Sequence, residues 1–219
     1  AKDATEAELQ IPWVNSGVMA IRGTVLWDAL EQVGNDNAQG EYYLTDIVKI
    51  LKSEGANIGT YTLKNSYKAM GVNDLYALSI AESKLRQDIN KALMLKGVAM
   101  INPETITIGH NVLIDENVTI HPNTYITGNS TIGKGAQIGP NTEIHNSTVG
   151  EYVICKHSLV FNSSIAHHST VGPFAHLREG AQIGPMNRIG NFVEIKKSST
   201  GENTKASHLA YIGDAEIGN

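Results

Sequence analysis

The chain has 219 residues, one cysteine, and 21 glycines among only 18% charged residues. A formal net charge of −5 argues against a general role on nucleic acid or membrane surfaces, though a local basic patch remains compatible with it. The single Cys155 excludes an internal disulfide and suits a reducing cytoplasm, and no apolar run approaches the length of a membrane span.

The opening "AKDATEAELQ" resembles neither an initiator nor a targeting segment, and the end "GDAEIGN" falls inside a repeat, so the chain reads as a fragment. Next, "SGVMAI" fits a short buried strand. "TVLWDALEQV" and "YYLTDIVKILKSEG" carry apolar residues at helical spacing, with Gly55 as a stop. "IGTYTLK" reads as a second strand. A long helix follows from about Asp74 to Leu95, with Leu75, Leu78, Ala81, Leu85, Ile89 and Leu93 on one stripe and Asn73 as its expected cap. Alternating strands and helices point to an α/β layer, but two strands are too few for a self-sufficient sheet. The expected organisation is an α/β segment over residues 1–73, a linker helix over 74–100 and a second domain over 101–219.

From residue 106 the pattern changes. Ile108, Ile114, Ile120, Ile126, Ile132, Ile138 and Ile144 recur every six positions. Four residues after each stands a small or β-branched side chain: Val112, Val118, Thr124, Ser130, Ala136, Thr142 and Thr148. The register slips through Val149, Cys155, Val160 and Ile165, then recovers at Val171, Leu177, Ile183, Ile189 and Ile195. This is the hexapeptide signature of a parallel β-helix. Three hexapeptides make one triangular coil of about 18 residues, with the aliphatic residue pointing inward and each coil stacked on its neighbours. The sixteen positions make about five coils. Cys155 occupies an inward slot, as a small buried hydrophobe rather than a nucleophile.

An 18-residue period places Arg178 directly against Lys196 in "LREGAQIGPMNRIGNFVEIKKS". Both follow inward aliphatics, so strand alternation turns both outward. One reading is two solvated side chains that splay apart. The other is a clamp for a phosphate or carboxylate, supported by nearby Lys197 and Lys205. Of eight histidines, periodicity singles out none. His208, close to the clamp in sequence, is the best general-base candidate, since an imidazole can take a proton near neutral pH. Reading Thr200, Ala206 and Ile212 as the inward series requires one shortened hexapeptide, which leaves the direction of His208 open.

The motifs "NAQGEYYLTDIV", "GVND", "GPFAHLREG", "GNFVEIKKS" and "KASHLAYIGDAEIG" together resemble the bacterial bifunctional family that joins an N-acetylglucosamine-1-phosphate uridyltransferase to a glucosamine-1-phosphate N-acetyltransferase. The resemblance implies part of a Rossmann-like α/β nucleotidyltransferase domain followed by a left-handed parallel β-helix. It implies that Arg178, Lys196 and Tyr211 bind the sugar phosphate, that His208 is the catalytic base, and that Asn15 and Asn73 contact the UDP-sugar, with Asn73 helping to ligate Mg²⁺. Acetyl-CoA and UTP would be co-substrates and UDP-N-acetylglucosamine the product, in a cytoplasmic homotrimer serving cell-wall biogenesis. The chain departs from the family pattern in lacking its Gly-rich nucleotide loop and the coils that complete the acetyl-CoA site. Glu179 also stands where the family has proline, and could pair with Arg178. The fragment is therefore expected to lack uridyltransferase activity and to have little or no acetyltransferase activity. Two alternatives are another sugar-phosphate nucleotidyltransferase with a β-helix tail and a non-catalytic β-helix trimerisation scaffold.

Overall fold

In the computed structural model, residues 5–219 are described, so the opening "AKDA" of the abrupt start lies outside the described residues. The chain divides into two compact units, Ala1–Ala81 and Glu82–Asn219.

The first unit is built of short helices: α1 (Glu6–Leu9), α2 (Gly23–Glu31), α3 (Asp46–Ser53) and a 3₁₀ turn at Ser66–Ala69. Helices α2 and α3 form where helical periodicity places them. They bury Ala29, Ile47 and Leu51, with Ile21, Leu26 and Leu30 packed around. Gly55 closes α3 at a φ of +80°, a left-handed conformation that glycine adopts without a Cβ penalty. The expected strands at "SGVMAI" and "IGTYTLK" are absent, and no strand occurs among the described residues before Ala99. A strand needs a neighbour for its backbone N–H and C=O groups. The residues of both segments are exposed or half-buried and pair with none.

Helix α4 (Leu75–Leu95) matches its expected span. Its cap is Asp74, not Asn73: the Asp74 carboxylate accepts the Ala77 backbone N–H at 2.6 Å. That is the N-cap to N3 geometry, one residue later than expected, and aspartate serves the cap as well as asparagine does. In the second unit, Ile89 and Leu93 of α4 pack on the core. Buried Asn90 donates from Nδ2 to the carbonyls of Pro103 (2.8 Å) and Ile106 (2.9 Å), tying the helix to the entry of the first coil.

The remainder is a parallel β-helix. On one face runs a ladder of seven strands from Leu113–Ile114 to Glu216–Ile217. The other two faces share a twelve-stranded sheet. They are joined because two nine-residue strands, Arg188–Lys196 and Lys205–Gly213, run through the corner without a break. Seven stacked strands exceed the five coils counted in sequence, since the stretches on either side of the clear repeat also stack. Ile120, Ile126, Ile132, Ile138 and Ile144 fill the prism with no more than 1% exposure, and Ile114 is only half-buried.

The slip has a simple structural form. Inward positions Ile144 and Val149, Cys155 and Val160, and Val160 and Ile165 are five apart instead of six. Three sides thus lose one residue each, and the coil period shortens to 16 between Ile154 and Thr170. The shortening moves the small inward seat from the expected Thr148, which is exposed, to Ser147. Its hydroxyl donates to the carbonyl of His145 (2.7 Å) and accepts the Ser163 N–H (3.1 Å), so the buried polar group is satisfied. At Gly190 a Cβ would lie 1.8 Å from the Ser207 carbonyl oxygen, so the close approach of the last coils requires glycine there.

Candidate anion seat on the β-helix

The strands His176–Arg178, Arg188–Lys196 and Lys205–Gly213 lie side by side on one face. Register fixes two outward columns. His176, Glu194 and Tyr211 are Cα partners in the first, and Arg178, Lys196 and Gly213 in the second. Arg178 and Lys196 therefore stack across adjacent coils, as the 18-residue period requires. Neighbouring parallel strands lie about 4.8 Å apart.

The two cations are not solvated and splayed. Glu194 accepts from Arg178 Nε at 2.7 Å and stands 2.7 Å from Arg178 Nη2. Glu179 accepts from Arg178 Nη1 at 3.2 Å, and its other oxygen lies 3.6 Å from Lys196 Nζ. The Arg178 and Lys196 side chains retain 29% and 26% exposure, against 49% for Glu179. The hydrogen bond that Arg178 donates to Glu194, above all, pushes the Arg178 guanidinium further up from its ordinary value. Burial opposes this, and the charges of Glu194, Glu179 and Tyr211 reinforce it. Glu194 was not singled out in the sequence. The available signal was its position two residues before Lys196, which puts both side chains on the same side of one strand. Beside the seat, an open groove of about 460 Å³ runs from Arg178 and Glu179 towards Phe161 and His145.

His208 is exposed, and it is the strand partner of Asn191. It stands one residue before Leu209, which turns the corner at a φ of +50°, while Tyr211 lies beyond the corner on the seat's face. The structure thus brings Arg178, Lys196 and Tyr211 onto one face and leaves His208 at the edge of that face, open to solvent.

Asn15 and Asn73 belong to the first unit and are exposed. The Asn15 side chain accepts the Gly17 N–H at 2.9 Å. Asn73 offers one amide oxygen, and its neighbour Asp74 is committed to capping α4. Among the described residues no three His, Cys, Asp or Glu side chains converge as a metal site. A lone amide oxygen does not make a Mg²⁺ site, because that cation takes carboxylates or phosphates as well. Asn73 by itself therefore does not hold Mg²⁺.

No helix among the described residues is long and apolar enough to cross a membrane. Residues 108–182 match the family model described as the GMPPB C-terminal domain. The chain is similar to the bifunctional protein GlmU of Acholeplasma laidlawii, at 58% identity over 217 residues, or 99% of this chain and 47% of that protein. Proteins of the same name from an Exiguobacterium species and from Halalkalibacterium halodurans are 47% and 44% identical over 217 residues, again 99% of this chain and 48% of each protein. The chain spans about half the length of the curated relatives it matches. The resemblance drawn from the quoted motifs is borne out along almost the whole chain.

Proposed function

We propose that this chain is one contiguous half of a bifunctional enzyme of UDP-N-acetylglucosamine synthesis, and that its β-helix carries the sugar-phosphate part of an acetyl-transfer site. The observation that carries this reading is the in-register stacking of Arg178 on Lys196, with Tyr211 on the same face. Phosphate is the ligand that such a cation pair suits, since each of its oxygens can accept a charge-assisted hydrogen bond.

Arg178 and Lys196 hold the phosphate of glucosamine 1-phosphate, and Tyr211 contacts the sugar. Its amine must lose a proton as it attacks the acetyl-CoA thioester. His208 takes that proton, the C–N bond forms, and coenzyme A leaves as the thiolate with the sulfur–carbon electron pair. Exposure of His208 leaves it free to reach a bound amine. The uridylyl half joins the acetylated product to UTP and releases pyrophosphate, with Asn15 and Asn73 on the sugar nucleotide. The product would feed peptidoglycan and lipopolysaccharide synthesis in the cytoplasm.

The assembly is a homotrimer in this reading, supported by the β-helix and by the exposed stack of Phe174 on Phe192 (ring centroids 5.4 Å apart) at the corner next to His208. Light scattering that returned only monomer at micromolar concentration would remove it.

The test of the site is calorimetric titration of the chain with glucosamine 1-phosphate. Saturable binding is expected, lost when Arg178→Gln and Lys196→Ala are combined. Equal binding by that double variant would overturn the assignment.

A further inference from the structure

The seat holds four formal charges in balance. Arg178 and Lys196 contribute two positive charges, and Glu179 and Glu194 two negative ones. A phosphate dianion gains little from a seat whose cations are already neutralised, so one carboxylate must yield.

The two carboxylates are held differently. Glu194 lies within a nine-residue strand, paired on both sides with His176 and Tyr211. Its single oxygen Oε1 lies 2.7 Å from both Nε and Nη2 of Arg178. That geometry fixes the plane of the guanidinium and leaves Nη1 pointing elsewhere. Glu179 takes Nη1. It stands just past the strand His176–Arg178, at a φ of +49°, and the next residue, Gly180, has a φ of +90°. Its contacts are longer, at 3.2 and 3.6 Å, and its side chain is half exposed.

The form of the Glu179 contact matters as much as its strength. One oxygen faces Arg178 and the other faces Lys196. A phosphoryl group bridging the two cations would place two of its oxygens in the same manner. Resting on the reading of this face as a sugar-phosphate site, we propose that Glu179 is an internal anion that fills the seat when it is empty and swings out when a phosphoryl group binds, so that an incoming anion must outcompete it.

The competition follows from charge. A monoanion that displaces Glu179 exchanges one unit charge for another and gains little. A dianion brings a second charge to Lys196 and Arg178 and recovers more than the departing carboxylate releases. Glu194 stays in place throughout and keeps Arg178 aimed. Glu179 is thus a competing internal anion that sets the affinity of the seat, and Glu194 a positioning residue of opposite effect.

The experiment compares the chain with its Glu179→Gln variant at pH 8, where a phosphate monoester carries nearly two charges. The probes are glucosamine 1-phosphate, methyl phosphate as a minimal dianion and dimethyl phosphate as a monoanion, each titrated by calorimetry. Exposed ion pairs are weak, so loss of both Glu179 contacts should tighten methyl phosphate binding about 2- to 20-fold. Dimethyl phosphate should gain by a similar factor, because displacing the same carboxylate costs every anion alike. Glu179→Ala should move affinity in the same direction, and Glu194→Gln in the opposite one. Circular dichroism confirms that each variant is folded. Unchanged or weaker binding by folded Glu179→Gln and Glu179→Ala, with binding by the parent chain still dependent on Arg178, overturns the role of Glu179 alone. Absence of phosphate binding by both the parent chain and Glu179→Gln overturns the seat and this role together.

Discussion

Arg178 and Lys196 are Cα partners across a parallel ladder, 18 residues apart in the chain, and Glu179 faces both with separate oxygens. This relationship gives a repeat otherwise devoted to stacking an edge with two cations and a shared carboxylate. If the pair binds the sugar phosphate, either Arg178→Gln or Lys196→Ala should weaken glucosamine 1-phosphate binding about tenfold or more, because each removes charge-assisted hydrogen bonds. The circular dichroism spectrum should not change, since both side chains point outward. Titration of each variant checks the affinity, and unaltered binding would reject the clamp.

In the bifunctional enzyme proposed for this chain, His208→Ala should lower kcat for acetyl transfer about 10²- to 10⁴-fold, the usual contribution of a positioned base. The KM for glucosamine 1-phosphate should change little, since the proposed phosphate seat, Arg178 and Lys196, lies elsewhere on the face. A steady-state assay separates the two constants. A loss confined to KM would assign His208 to binding instead.

Cys155 is fully buried, and that burial pushes its thiol up to about 12 from an ordinary 9.0. The folded state keeps this proton where the unfolded state releases it. The associated stability is fully present below about pH 9 and is lost as pH rises from there towards 12. The melting temperature should fall more steeply above pH 9 in the parent chain than in Cys155→Ala, which has nothing to ionise there. In the native state the thiol should also resist aromatic disulfide reagents at pH 8, and should react on denaturation. Rapid native-state labelling would contradict the buried placement.

Asn90 is buried in α4 and satisfies two carbonyls at the entry to the β-helix. Asn90→Leu would strand both the Pro103 and Ile106 carbonyls, at a cost of about 2 kcal/mol or more. Urea unfolding should show a lower midpoint. Hydrogen exchange should rise first around residues 98–108, where the tie is made. Protection unchanged in that segment would show that the helix is held by Ile89 and Leu93 alone.

Much of the β-helix was legible because each hexapeptide is a local statement. Ile120, Ile126 and Ile132 announce an inward direction without reference to distant residues, and their period sets the stacking of Arg178 on Lys196. The long helix was legible for the same reason, since α4 repeats one apolar stripe over 21 residues. Its cap was misplaced by one residue because Asn73 and Asp74 are equally able to cap, and the choice depends on where the first helical turn closes. The strands expected at "SGVMAI" and "IGTYTLK" failed for a different reason. Strand propensity marks a segment that can pair, and pairing needs a partner from elsewhere in the chain.

The sequence by itself determined the period of the solenoid, its inward residues and the pairing of two cations on one edge. All of these follow from spacing along a single strand of chain. Only the tertiary structure decided the electrostatic state of that edge. Glu194 meets Arg178 across 16 residues, and Glu179 meets Lys196 across a turn of the coil. The seating of Ser147 inside the prism in place of the expected Thr148 likewise emerges only when coils stack. In each case the deciding contact joins different coils, and its geometry depends on how far each coil has rotated and shortened against the next.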